Sequence, residues 1–377
     1  MKQALGIASV AVLLGALMLV AAPWSVAGED QAKAPAPVPR TGQVKSYAKG
    51  DDGAYQAGVP WPDPRFTLEG DCVTDNLTGL IWAKNVNIAG KNMPWADALV
   101  FCNDLELGGC KDWRLPNAKE MQTLDDWSQE GGSASRLPKG HPFTGTPAMC
   151  TWSSTTFVGN TEAAWMSRSD GYFGHLGKAE ACGVWPVRGG VLKDAAPVKA
   201  IALVARTGQT KSYAPGDDGD VQAGVAWPNP RFTVDGDRVI DSLTGLMWAK
   251  NADIAGTTMS GYEAMTFCAK QELGGHKDWR LPNVKEMQSL VDFSSGLIAT
   301  PFENVPAPAS NATYASGTIG MPLYGKLSTD LYWTMNSQGY WAPIGPDGSR
   351  YKQRAWPVRG GVLAPPKAAD PQTPEKK

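Results

Sequence analysis

With 377 residues and a formal net charge of −2, the chain has no basic field with which to hold a polyanion. Nucleic acid and whole-surface attraction to charged polymers are therefore excluded, and a local basic patch stays open. Glycine (42), proline (29) and tryptophan (15) are abundant against 19% charged residues, the composition of loop-rich domains whose short strands close on aromatic cores; the length suits two such domains.

From the start of the chain, Lys2, the apolar run from Leu5 to Ala22 and the small residues Ser25-Val26-Ala27 predict a signal peptide over 1–27 and hence an extracytoplasmic protein in the periplasm, at the cell surface or in the medium. An uncleaved anchor is the alternative, because the run approaches the roughly 20 residues that span a bilayer. No later segment is long and apolar enough to span one. Residues 28–39 form an Ala/Pro-rich arm.

The next stretch occurs twice. RTGQVKSYAKGDDGAYQAGV at Arg40 returns as RTGQTKSYAPGDDGDVQAGV at Arg206, TDNLTGLIWAKN as IDSLTGLMWAKN, ELGGCKDWRLPNAKEMQTL as ELGGHKDWRLPNVKEMQSL, and VWPVRGGVL as AWPVRGGVL. The reading is a tandem duplication with domains at 40–192 and 206–363, a linker at 193–205 and a Pro/Lys/Ala tail at 364–377 that cannot pack a core. Each copy carries a full set of apolar segments, which predicts independent globular domains rather than a solenoid.

Within a copy, Asp75 to Gly79 is turn chemistry leading into a short strand at Leu80-Ile81-Trp82. Trp95, Leu99, Cys102 and Leu105 share one helical face, stopped by Gly108-Gly109. Asn117 stands three residues before Glu120, the capping-box spacing, so a helix starts there and, in copy two, at Asn283. Strands follow at Met149 to Thr155, Ala163 to Arg168, Tyr172 to His175 and Val184 to Val187, with Asp170-Gly171 as a hairpin turn. Two helices and a small, mostly antiparallel sheet per copy make an α+β fold.

These strings, with TWSSTT between them, resemble the Lcl C-terminal domain family over about 41–192 and 207–363. Copy two departs where the family's WSS becomes Trp333-Thr334-Met335, after a longer loop. The name-giving member is a collagen-like surface adhesin whose C-terminal domain binds sulfated glycosaminoglycans, so the resemblance implies a binding module. The Arg114-Leu115-Pro116 string with Glu120 also looks like that of formylglycine-generating enzymes, which implies two tandem C-type-lectin-like domains.

Copy one has Cys72, Cys102, Cys110, Cys150 and Cys182, whereas copy two keeps Cys268 alone, with Arg238, His276, Leu331 and Gln353 at the other positions. Residues lost together were partnered together, which predicts two disulfides among these four, with Cys150 to Cys182 and Cys72 to Cys110 the favoured pairing because the first pair flanks the strands of the sheet. Cys102 and Cys268 are then buried helix residues or, alternatively, an inter-domain bridge. The absence of a C-x-x-C and the scatter of His141, His175 and His276 argue against zinc, and no G-x-S-x-G supports a serine nucleophile. Loss of the thiols in copy two likewise argues against a formylglycine-generating type of enzyme.

Asp51-Asp52 and Asp217-Asp218-Gly219-Asp220 offer oxygen ligands of the kind calcium takes, although acidic glycine turns are the simpler reading and no other cofactor is expected. Arg114 with Glu120, and Arg280 with Glu286, beside Trp113 and Trp279, read as structural ion pairs or caps; Trp82, Trp95 and Trp185 read as core. The variable hairpins carry the candidate ligand contacts: Trp165, Arg168, Tyr172 and His175 in copy one, and Tyr340, Trp341, Arg350 and Tyr351 in copy two. Aromatic faces there would stack on sugar rings while arginine bonds a sulfate or carboxylate. The expected function is non-catalytic binding or adhesion, the partner being a glycan or an envelope or host surface protein; a structural role in the envelope is the alternative.

Overall fold

Local turn chemistry builds the first sheet of each repeat. At the end of β2 (Cys72–Asp75), the Asp75 carboxylate accepts from the Leu77 N–H at 3.1 Å and the Thr78 hydroxyl at 3.0 Å, and Gly79 takes φ +74°, so the chain reverses into β3 (Leu80–Ala83). With β1 (Phe66–Glu69) and β7 (Val187–Gly189) these strands make an antiparallel sheet of order β1-β2-β3-β7, in which Trp82 faces Val73 and Val187 and all three are wholly buried. The second repeat copies it with β8 (Phe232–Asp235), β9 (Arg238–Asp241), β10 (Leu246–Ala249) and β16 (Val358–Arg359). This computed structural model describes residues 34–128, 137–146, 148–168, 172–192, 200–298, 300–307, 312–319, 332–344 and 353–361. The expected signal peptide, the tail, the Asp170-Gly171 turn, Leu331, Arg350 and Tyr351 lie outside them.

Helices follow from their caps. A four-residue helix, α1 (Asp52–Tyr55), starts at Asp51, whose side chain accepts from the Ala54 N–H; its counterpart in the second repeat begins at Asp217. Gly53 is required there, because a Cβ would sit 2.0 Å from the Lys45 carbonyl oxygen. After α2 (Trp95–Asn103) comes α3 (Ala118–Thr123), and α4 (Asp218–Val221), α5 (Gly261–Ala269) and α6 (Val284–Ser289) repeat the series. Both α3 and α6 carry the complete capping box, Asn117 with Glu120 and Asn283 with Glu286, satisfying two orphan N–H groups reciprocally. No helix among the described residues is long and apolar enough to cross a membrane.

The remaining strands join the repeats. The meander β4 (Cys150–Thr156), β5 (Ala163–Arg168), β6 (Phe173–Gly177) meets β13 (Thr313–Ile319), β14 (Tyr332–Asn336), β15 (Trp341–Ile344) at the single register pair Phe173 and Trp341. The product is one six-stranded sheet of order β13-β14-β15-β6-β5-β4. A two-stranded ribbon, β11 (Val291–Asp292) with β12 (Leu297–Ile298), completes an α+β fold of two similar halves.

The N-terminal segments are exchanged as well. Asp52 accepts from Thr41 of its own repeat at 2.6 Å and from Thr318 of the other at 3.0 Å; Gln43 bonds both backbone groups of Ile319; and Asn283 donates to the Ala57 carbonyl at 3.0 Å. Reciprocally, Asp218 accepts from Thr207 and Thr155, both at 2.7 Å, Gln209 bonds Thr156, and Asn117 donates to Ala223. Ring contacts cross the junction too: Trp127 lies edge-on to Trp333 and Phe293 edge-on to Trp165. Instead of two independent domains on a linker, each repeat supplies polar partners and core aromatics to the other, and the largest buried cluster draws on both, beside smaller clusters around Trp82 and Trp152 that belong to repeat one.

One alignment of the copies is corrected. The counterpart of the WSS strand is not Trp333-Thr334-Met335 but β13. Ser316 donates to the Trp333 carbonyl as Ser153 does to that of Trp165, and Thr318 accepts from the Val284 N–H as Thr155 does from that of Ala118. Cys150 therefore corresponds to Thr313, and the extra residues of copy two fall between β13 and β14 and between β15 and β16 rather than before β13.

Candidate functional site

Pairing within the hairpin decides which residues meet. Trp165 stands opposite His175 and Ser167 opposite Phe173, so Trp165, Phe173 and His175 share one face. Trp165, only 1% exposed, stacks on Phe173 at 5.3 Å and is closed by Phe293 at 5.2 Å. It is a floor, and its expected role as a ligand contact is withdrawn: the face shared with His175 turns toward the other repeat. Upon this floor His175 lies parallel to Phe157, with ring centroids 4.0 Å apart, and Tyr340 from the second repeat comes within 5.0 Å of Trp165 and 5.5 Å of His175. Both His175 and Tyr340 are half-buried.

Burial holds the His175 imidazole below its usual range, and it pushes the Tyr340 hydroxyl up, helped by the neighbouring Tyr172. Both rings are therefore neutral at pH 7, with polar ring atoms free of charge. At the hairpin end, exposed Arg168 lies over the Tyr172 ring with its guanidinium 5.6 Å from the centroid, and Tyr172 is 37% exposed. Aromatic faces edged by an arginine suit a sugar ring and an anionic substituent.

Thus His175 and Tyr340 are brought together across the repeat boundary, whereas Arg168 and Tyr172, one residue out of phase with Trp165 and Phe173, pair with each other at the hairpin end, the Tyr172 ring lying over Gly174 on the other face. Trp341 enters as the backbone pair of Phe173, and Arg350 and Tyr351 lie outside the described residues. Sequence reading missed Phe157 and Phe293. Phe157 directly follows the TWSSTT strand and could have been noted, but nothing local places Phe293 beside Trp165.

The other candidate groups are committed elsewhere. Asp51 accepts from the N–H groups of Tyr47, Ala48 and Ala54, and Asp217 from those of Tyr213, Ala214 and Asp220. Asp52 and Asp218 are buried between threonine hydroxyls, so the acidic clusters considered for calcium are helix caps and junction contacts instead. Among the described residues no group of three or more His, Cys, Asp and Glu is arranged to hold a metal. Arg114 grips Glu120 through two bonds of 2.7 and 2.5 Å and also reaches the Gly189 carbonyl; Arg280 repeats this with Glu286 and Gly360. Each glutamate also caps its helix. The nearby Trp113 and Trp279 are buried, each donating to the carbonyl of a leucine, Leu107 or Leu273.

Cys150 and Cys182 form a disulfide, as expected. The second expected bridge is absent: Cys72 and Cys110 are free, half-buried thiols. The Cys72 sulfur lies against Gly108, in the glycine turn that ends at Cys110, rather than on Cys110 itself, and burial together with Cys110 pushes its thiol up. Cys102 and Cys268 are buried in separate clusters, so no inter-repeat bridge joins them, and burial raises both thiols.

No curated protein and no solved structure matches this chain. The family model described as the Lcl C-terminal domain matches residues 71–188 and again residues 237–359, more than half of the sequence and once in each half of the fold. The chain belongs to the Lcl C-terminal domain family and carries the domain twice.

Proposed function

We propose that this is an exported, non-catalytic binding or adhesion protein of C-type-lectin-like build that recognises a glycan or similar surface polymer through the aromatic surface between its repeats. The observation that carries the reading is the meeting of His175 and Tyr340 from two repeats over a packed aromatic floor, with the exposed pair of Arg168 and Tyr172 at the end of the same hairpin. Stacking platforms need rings that are rigid and partly exposed, and the floor of Trp165, Phe173 and Phe293 holds them so. Family membership supports an extracellular adhesin-like role, and the leader-like residues 1–27 support export.

The exchanged architecture changes the stoichiometry expected of a duplicated binder. Two independent domains would give two sites and avidity, whereas a surface assembled from both repeats gives one site per chain. The test is retention on immobilised heparin followed by calorimetry with a defined sulfated oligosaccharide. Retention that weakens with salt, a stoichiometry of one, and a loss of about tenfold in affinity on Arg168→Ala or Tyr340→Ala are expected, the size of a single charge-assisted or stacking contact. No retention at low salt would defeat the sulfated-glycan reading.

A further inference from the structure

Where the repeats meet, the arm before copy one and the linker before copy two enclose a pocket of about 80 Å³, large enough for several waters or one small molecule. Its walls are mostly apolar, with Pro37 and Val38 on one side and Leu203 and Val204 on the other. Two lysines from equivalent places in the repeats help line it, Lys119 of α3 and Lys285 of α6, each two residues beyond its helix cap.

Both lysines are buried, 7% and 5% exposed. Among the described residues the Lys119 ammonium has no hydrogen-bond partner; it lies 5.2 Å from the Trp227 ring. Lys285 reaches the Thr123 carbonyl only at 3.5 Å and lies 5.4 Å from the Trp61 ring. Among the described residues neither makes an ion pair: Asp292, Asp241 and Asp218 act on Lys119, and Asp125, Asp126 and Asp75 on Lys285, only at longer range, Asp241 and Asp75 being gripped by Arg231 and Arg65, which add like charge near the amines. Burying an unpaired cation is costly, and a purely structural position of this kind is filled as well or better by an apolar side chain. Here the arrangement occurs twice, in one pocket.

We propose that this pocket binds a small organic anion, a short-chain aliphatic carboxylate, with Lys119 and Lys285 as its cationic ligands and the arm and linker as its apolar walls. The carboxylate supplies the direct ion-pair partner that both amines lack among the described residues, and the short chain matches the Pro/Val/Leu lining, which offers an inorganic oxyanion little to bond. Burial, with Arg231 beside Lys119 and Arg65 beside Lys285, holds both amines down to about 7, and a bound carboxylate would draw them back up. The site is separate from the aromatic surface of Tyr340 and stands or falls independently of it.

The test uses the full chain, titrated calorimetrically with sodium butyrate and in parallel with inorganic phosphate. Saturable butyrate binding with one site per chain is expected, weakened at least tenfold by Lys119→Met or by Lys285→Met and lost in the double variant, with heparin retention unchanged. Methionine removes the charge at similar volume, so the variants should melt no lower than the parent. As a measurement on the unaltered protein, butyrate should protect these two lysines from amine-reactive labelling read by mass spectrometry. Absence of butyrate binding, binding of phosphate in its place, undiminished binding by the double variant, or labelling indifferent to butyrate would each overturn the proposal.

Discussion

Thr318→Val isolates the contact by which one repeat completes the other. Thr318 is fully buried; its hydroxyl donates to Asp52 at 3.0 Å and accepts from the Val284 N–H at 3.1 Å. Valine keeps the volume and the β-branch, so packing is unchanged and two polar losses remain. A hydrogen bond to a charged or partly charged buried carboxylate contributes about 1.5–3 kcal/mol, and an orphaned buried N–H costs about 1–2 kcal/mol. The substitution should therefore destabilise the protein by about 3–4 kcal/mol. Thr155→Val deletes the matching contacts, to Asp218 at 2.7 Å and from Ala118 at 2.9 Å, and should cost the same. The two sites share no partner, so the double variant should lose roughly the sum, about 6–8 kcal/mol, which reaches the whole stability of an ordinary domain. Urea unfolding followed by tryptophan fluorescence measures this, with amide exchange reporting on each repeat. One transition, moved as a whole by either substitution, is expected; a loss under about 0.5 kcal/mol, or two transitions of which only one moves, would refute the interlocked reading.

Other expectations concern buried charge and the covalent tie. Asp52 and Asp218 are pushed up to about 7 by burial, so the folded chain holds protons that the unfolded chain has released. Their contribution to stability thus falls as pH rises from about 4 through 7, by at most about 4 kcal/mol each. Lys119 and Lys285, held down to about 7 by burial, act oppositely, costing stability below 7 and relieving that cost as pH rises toward 10.5. Melting temperature plotted against pH should therefore dip near neutrality, and Asp52→Asn with Asp218→Asn should flatten the acid side. Glu120→Ala breaks a buried bidentate pair and half a capping box, so a loss of about 3–5 kcal/mol in urea unfolding is expected. Cys150→Ser opens a loop with a sequence separation of 32 and should cost about 3–4 kcal/mol, read as a lower melting temperature under non-reducing conditions.

What could be read from the sequence was what depends on neighbours along the chain. Asn117 and Glu120 form their box because three residues of helix bring them together wherever the helix sits. Likewise Asp75 turns the chain with its own carboxylate. The exchange was hidden by the duplication itself: Thr155 meets Asp218 and not Asp52, yet both aspartates sit in the same string, so the residues are silent about which copy a partner belongs to. Trp165 was misplaced because a strand's period of two tells which residues share a face and not which face meets solvent. The Trp333 match to the WSS strand failed for a related reason. The conserved function of that strand lies in its hydroxyls, Ser153 and Thr155, and in copy two these are Ser316 and Thr318, where no tryptophan marks them.

The same comparison explains why copy two can do without its cysteines. The shared sheet has two open edges, β4 and β13, and an exposed edge invites pairing with other chains. At β4, Trp152 donates to Gly183 and Ser154 to Pro116, and the disulfide from Cys150 to Cys182 pins the covering segment. At β13, Gly317 donates to Pro282, Ala315 to Arg354, and Arg354 back to Thr313, while the Arg354 side chain pairs with Asp253. Gln353, at the position of Cys182, keeps the backbone pairing with Met259 that Cys182 makes with Met93. Both edges are thus covered by the chain of their own repeat through the same backbone scheme, with an ion pair at one and a disulfide at the other. Reduction should accordingly loosen the β4 edge and leave β13 protected, so that amide exchange under reducing conditions rises at Trp152 and Ser154 and not at Ala315 and Gly317; equal loss at both edges would mean that the bridge holds the whole sheet rather than one border of it.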